Sequence, residues 1–154
     1  MSQNSVNVNI TLITEENIPT MVEIWNPNAH VLSSTNRKHT KKSLLEWFQN
    51  RSIGNHKYYG IFKKNYLCGF MILKYELDKL IIKMTALASN FQNQGFGKKL
   101  ISFAKREAQK LNFPVYTEVK IENFRALNFF FSLGFKIIQF DKKWEEYNLL
   151  ALSS

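Results

Sequence analysis

The sequence predicts a mixed α+β domain: a mostly antiparallel sheet flanked by helices. Three observations carry that expectation. Short segments of alternating or strand-forming apolar residues recur along the chain, separated by turn residues. Longer segments repeat apolar side chains at helical spacing, most clearly Gly97 to Leu111. That helix stands between two strand-like segments, so a strand–helix–strand crossover lies in the middle of the order. The 154 residues suit a single domain spanning 1–154, at roughly 100–200 residues per domain. A hydrophobic share of 45%, with 14% aromatic, is enough for a core, and a charged share of 21% is too small for a disordered polyelectrolyte.

Alternation in Val6-Asn7-Val8-Asn9-Ile10-Thr11-Leu12 marks a first strand. A helix follows from about Glu15 to Trp25, where Ile18, Met21, Val22 and Trp25 recur at helical spacing. Residues 26–40, polar and turn-rich, are expected to form a loop, and Ser43 to Asn50 a short helix carrying Leu44, Leu45, Trp47 and Phe48. After Gly54 come Lys57–Phe62, a Lys63-Lys64-Asn65 turn, Tyr66–Tyr75, a turn near Asp78-Lys79, and Leu80–Ala88. This spacing fits a three-stranded antiparallel meander. The helix Gly97 to Leu111 gathers Leu100, Ile101, Phe103, Ala104, Ala108 and Leu111 on one broad face, with its lysines and Arg106 mostly elsewhere. Pro114 opens a strand through Lys120, and a helix from about Asn123 to Leu133 meets Gly134, well placed to end it in a left-handed conformation. Phe135–Phe140 and Trp144–Leu150 then pair as a hairpin across Asp141-Lys142-Lys143.

The formal charge of +9 should attract phosphates, nucleic acid or anionic surfaces. Cys68, the single cysteine, cannot form an internal disulfide, and His30, His39 and His56 are scattered without zinc-ligand spacing. Neither a metal site nor a disulfide scaffold is expected. No stretch reaches about 18 consecutive apolar residues, and MSQNSVNVNI lacks the basic start and apolar run of a signal peptide. The expectation is a cytoplasmic protein without a membrane partner.

The stretch that carries function runs from the strand Leu80–Ala88 through Ser89-Asn90-Phe91-Gln92-Asn93-Gln94-Gly95-Phe96-Gly97-Lys98-Lys99-Leu100 into the long helix. Two glycines one residue apart allow a sharp turn and close approach to a ligand, while the free amides of a helix start point at anionic oxygens. Lys98 and Lys99 oppose the helix dipole in the first turn, a conflict that a bound anion removes. The dinucleotide fingerprint is excluded because Leu100 stands where its third glycine belongs, and no Gly-Lys-Ser/Thr exists for a nucleotide-hydrolase loop.

Gln92-Asn93-Gln94-Gly95-Phe96-Gly97 resembles the Gln/Arg-x-x-Gly-x-Gly/Ala signature of the GCN5-related N-acetyltransferase (GNAT) family, at the expected strand-to-helix junction. Asn123 to Phe135 is similar to the family's second signature, Asn-x-x-Ala, then an aromatic, then Gly-Phe. The likeness covers residues 80–135 strongly. It implies a GNAT fold whose central parallel strands, here Leu80–Ala88 and Val115–Lys120, splay apart to hold acetyl-CoA. It further implies that the pyrophosphate sits on amides of Gln92, Asn93, Gln94, Gly95, Phe96, Gly97 and Lys98. The pantetheine would pair near Leu87 and Ala88, and Asn123 would hydrogen-bond the cofactor arm. Asn is also a preferred helix N-cap, and both roles can coexist at Asn123.

Acetyl transfer from a thioester to an amine needs a neutral acceptor, a polarised carbonyl and a departing thiolate. Neutralising a lysine-like amine with pKa near 10.4 at pH 7 costs roughly 4.6 kcal/mol, so a base is expected. In the ribosomal-protein N-acetyltransferases of the family a Glu at the same offset before the Asn is the base; Glu118 matches it. The alternative for Glu118 is a surface carboxylate paired with Lys120 or another cation, and Glu122 is a second base candidate. The family often has a Tyr seven residues after the Asn as general acid, but Phe130 stands there and has no proton to donate. A thiol with pKa near 8.5 leaves as thiolate at a loss of at most about 2 kcal/mol, so Phe130 does not by itself abolish catalysis. Tyr116 and Tyr147 are the alternative sources of that proton, without a spacing argument, and each reads first as a packed aromatic; Cys68 reads as a core residue, and direct transfer without an acyl-enzyme is expected.

A second reading keeps the fold without the catalysis: an acyl-CoA-binding or RNA-contacting module that uses the positive charge. The basic run Arg37-Lys38-His39-Thr40-Lys41-Lys42 reads either as nucleic-acid contact or as a solvated loop and helix start. The expected acceptor is an amine on a small molecule, peptide N-terminus or RNA-linked group, and exposed strand edges are compatible with a homodimer.

Overall fold

A computed structural model describes residues 7–32 and 36–151. Val6 and residues 33–35, included in the expected first strand and loop, lie outside the described residues. Seven strands form one sheet in the order β1-β2-β3-β4-β5-β7-β6. They are β1 Val8–Leu12, β2 His56–Lys63, β3 Tyr66–Tyr75, β4 Leu80–Leu87, β5 Val115–Lys120, β6 Lys136–Asp141 and β7 Glu146–Ala151. The expected meander is β2-β3-β4 and the expected hairpin is β6-β7, both antiparallel. The pairing of β4 with β5 is parallel, because α4 (Phe96–Leu111) carries the chain back across the sheet between them.

Alternation along the strands feeds two cores. Tyr59, Met71 and Leu73 join Leu100, Ile101, Ala104 and Ala108 of α4 and Leu127 and Phe130 of α5 (Phe124–Ser132) on one face. Their neighbours Tyr58, Phe70 and Ile72 join α1 (Ile18–Trp25), α2 (Ala29–Leu32) and α3 (Lys41–Gln49) on the other, around the fully buried Met21, Trp25 and Leu44. A sheet buried on both faces over its centre explains the nearly continuous apolar run of β3.

Helix ends follow local chemistry. Thr40 caps α3 by accepting from the Ser43 amide at 3.0 Å, and the Ser43 hydroxyl accepts from the Thr40 amide at 2.9 Å. This reciprocal cap starts the helix at Lys41, before the expected Ser43. Gly134 takes the left-handed conformation after α5 (φ +91°). The expected loop over 26–40 is partly helical: Asn26–Asn28 forms a 3₁₀ turn and α2 follows. Ala29 and Leu32 are buried at helical spacing and Asn28 donates to the Ile24 carbonyl at 2.8 Å. A helix this short stands on tertiary burial, and its two buried positions leave no sequence periodicity to read.

Candidate active site

The parallel pair stays joined for three residues, Leu80↔Val115, Ile81↔Tyr116 and Ile82↔Thr117. At the last pair the Thr117 hydroxyl donates to the Ile82 carbonyl at 3.1 Å. Beyond it the strands part. Lys83 is the extra residue of a bulge, since Leu73 pairs Ile82 and Ile72 pairs Met84, and bulges bend and twist a strand. Between the parted strands opens a cleft of about 890 Å³, within the range that holds small ligands.

One wall is the glycine loop. After a 3₁₀ turn at Ser89–Phe91 the chain adopts positive φ at Asn93 (+63°) and Gly95 (+82°) before α4 begins. Among the described residues, amides from Asn93 to Lys98 meet no backbone acceptor, and the first bond of the helix runs from the Lys99 amide to the Gly95 carbonyl at 3.1 Å. Unpaired amides at a helix start are a ready anion site. A Cβ on Gly95 would meet no heavy atom within 4 Å, whereas one on Gly97 would stand 3.4 Å from Phe129. Arg125 secures the loop by donating to Asn93 Oδ1 at 2.7 Å.

The expected cofactor residues Leu87, Ala88, Gln92, Asn93, Gly95, Gly97 and Lys98 all border this cleft. Two do not turn their side chains to it. Gln94 folds back to donate to the Asn90 carbonyl at 2.9 Å, and Phe96 is buried in a stack on Phe91. Asn123 borders the cleft while its side chain caps α5, accepting from the Ala126 amide at 3.2 Å. Phe130 also borders it, 7% exposed and packed edge-on against Phe129 and Phe135.

Glu118 lines the opposite wall with Lys83, whose ammonium lies 3.4 Å from its carboxylate. Lys120 is engaged elsewhere, donating to the His30 carbonyl at 2.9 Å and to Asn36 Oδ1 at 2.7 Å. Nearby, burial and then the charges of Glu118 and Asp141 push the Glu146 carboxyl above its ordinary range. Thr85 lines the cleft with its hydroxyl buried and unpartnered, a polar atom left for a ligand to satisfy. Glu122 is exposed and outside the cleft lining. Tyr116 packs under Lys79, Tyr147 packs against Phe140, and neither borders the cleft. Cys68, on β3, is fully buried, donating to the Tyr66 carbonyl at 3.3 Å, and burial pushes its thiol up.

The fold also brings in residues that no sequence signal marks. Glu23 and His30 reach the cleft from α1 and α2, and Tyr66 from the start of β3. Arg125, an unspecified position in the second signature, becomes visible only through its bond to the loop.

A mixed sheet parted at its parallel pair, with a glycine loop starting a helix at the opening, is the fold of the acyl-CoA-dependent acetyltransferases. The family model described as the Acetyltransferase (GNAT) family matches residues 18–135, and the chain belongs to that family. Among solved structures, the PaiA N-acetyltransferase of Thermoplasma acidophilum, in complex with coenzyme A, superposes with a TM-score of 0.75 at 17% identity, covering 95% of this chain and 99% of that one. YncA of Salmonella typhimurium with its cofactor acetyl-CoA gives 0.76 at 16% identity, covering 96% and 95%. A spermidine N-acetyltransferase of Vibrio cholerae gives 0.77 at 16% identity, covering 96% and 94%. These likenesses concern the fold. No curated protein matches the sequence. No helix among the described residues is long and apolar enough to cross a membrane.

Proposed function

We propose that this protein is an N-acetyltransferase that binds acetyl-CoA in the cleft and moves its acetyl group directly to a primary amine. The observation that carries the reading is the parting of β4 from β5 directly beside the unpaired amides of the glycine loop. When bound, acetyl-CoA supplies the acetyl group as an activated thioester. The amides around Gly95 and Gly97, with Lys98 beside them, hold the diphosphate. Leu87 at the end of β4 and Ala88 after it take the pantetheine, and Asn123 contributes its amide nitrogen while its oxygen caps α5. Glu118 accepts the acceptor's ammonium proton, directly or through water, with Lys83 compensating its charge. Phe130 excludes water at the position where the family resemblance led to the expectation of a tyrosine, so the thiolate departs without a proton from that residue.

The acceptor is an amine on a small molecule, a peptide N-terminus or an RNA-linked group, and the protein works in the cytoplasm without a metal. The test is thiol release from acetyl-CoA across a panel of peptide N-termini, polyamines, amino sugars, aminoglycosides and aminoacyl-tRNA. Amine-dependent release is expected. Cofactor binding without release from any of them would overturn catalysis and leave a binding module.

A further inference from the structure

On the flank of α4 turned away from α5, an open groove of about 710 Å³ runs between that helix and the edge strand β1. Its floor is apolar: Val8 and Ile10, both half-buried, lie beside Phe103. Its wall is cationic. Lys99, Ser102 and Arg106 follow one another at helical spacing, with Lys98 at the loop end. No carboxylate lines the groove, and Lys99 and Arg106 are exposed and form no ion pair among the described residues. Among the described residues, only Gly95 and Lys98 border both this groove and the cleft.

Layer geometry sets what fits there. Helix α4 packs chiefly over β4 and β3. A second helix packed beside α4 at about 8–10 Å would stand about two strand spacings away, over β1 and β2. On that side the groove leaves Val8 and Ile10 half-exposed.

We propose that the groove docks an amphipathic helix with an acidic flank from a partner protein. Its apolar side seats on Val8, Ile10 and Phe103, and its carboxylates meet Lys99 and Arg106. Nucleic acid fits less well: a phosphate backbone leaves the aliphatic floor uncovered, and Phe103, the groove's aromatic ring, is engaged edge-on with Tyr59. A second copy brings another +9 against the first, and residues 1–6 hold no carboxylate to answer the cations.

Fluorescence anisotropy on the full chain tests this with a labelled, stapled helical peptide of about 18 residues, leucines every three or four positions and glutamates beside them. Saturable binding is expected, weakened at least about tenfold when Lys99→Glu and Arg106→Glu are combined. Ser102→Trp, which fills the groove and keeps its charge, should lose binding to a similar degree. Should charge reversal unfold the domain, Lys99→Gln with Arg106→Gln reads the same loss. A scrambled peptide of equal composition should bind at least about tenfold more weakly, and saturating coenzyme A should change nothing. The proposal fails if the helical peptide shows no saturable binding, if the scrambled peptide or a single-stranded RNA of equal charge binds as tightly, or if coenzyme A displaces the peptide.

Discussion

Gly95 holds φ at +82° as the N-cap of α4, and a Cβ there would meet nothing within 4 Å. Space therefore contributes nothing to the effect of Gly95→Ala; the left-handed backbone alone does, at about 1–2 kcal/mol. At about 2–4 °C per kcal/mol for a domain of this size, Tm should fall by about 2–8 °C. Asparagine tolerates this region better, so Gly95→Asn should recover half or more of the loss. Relaxing φ at this residue also swings the following amides of Phe96 and Gly97, and Gly97 borders the cleft. Coenzyme A affinity should consequently fall at least about tenfold in Gly95→Ala, about 1.4 kcal/mol. Scanning calorimetry reads the first quantity and titration with coenzyme A the second. An alanine variant that melts with the parent and binds the cofactor equally well would refute the reasoning, as would equal losses in the alanine and asparagine variants.

Glu118→Gln should lower turnover about a hundredfold or more while coenzyme A affinity stays within about twofold; turnover unchanged across pH removes Glu118 from the role of base. Cys68→Ala should stay active, because the thiol is buried away from the cleft, and trapping an acetyl group on Cys68 by mass spectrometry would contradict direct transfer. His39 is 4% exposed between Trp25 and Trp47, with Nε2 unpartnered, and burial followed by the Arg37 charge lowers its pKa below 6.5. The unfolded chain then binds the proton first, so stability is lost as pH falls below about 6.5 through the folded value. His39→Asn should flatten that acid decline in thermal melts, and parallel slopes would argue against it. Glu146 has the opposite sign: its raised carboxyl favours the folded state below about 4.5, and that contribution disappears as pH rises through the folded value. Glu146→Gln should therefore gain stability over the parent at neutral pH and none near pH 4, read from urea midpoints; an equal gain at both would refute the assignment.

Legibility in the sequence tracked the range of the interactions. The strand Tyr66–Tyr75 and the helix ending at Leu111 stand where periodicity puts them, because each carries its own apolar pattern. The 3₁₀ turn and short helix over 26–32 were hidden, because Ala29 and Leu32 are helical through burial against other elements. Glu118 could be singled out by its offset from Asn123, but its cation is Lys83 of the adjacent strand β4 and not the neighbouring Lys120. The bulge that makes Lys83 the extra residue of β4 arises from the register with β3 and has no local signature.

By itself the sequence determined the element types outside residues 26–32, the glycine loop at a strand-to-helix junction and the basic balance, all properties of residues near one another in the chain. Only the tertiary structure decided that β4 and β5 part after Ile82 and Thr117, that α1 and α2 bring Glu23 and His30 to the opening, and that β1 leaves a cationic groove beside α4. The reason is physical: pairing register and layer packing join residues dozens of positions apart, and no window along the chain contains both partners.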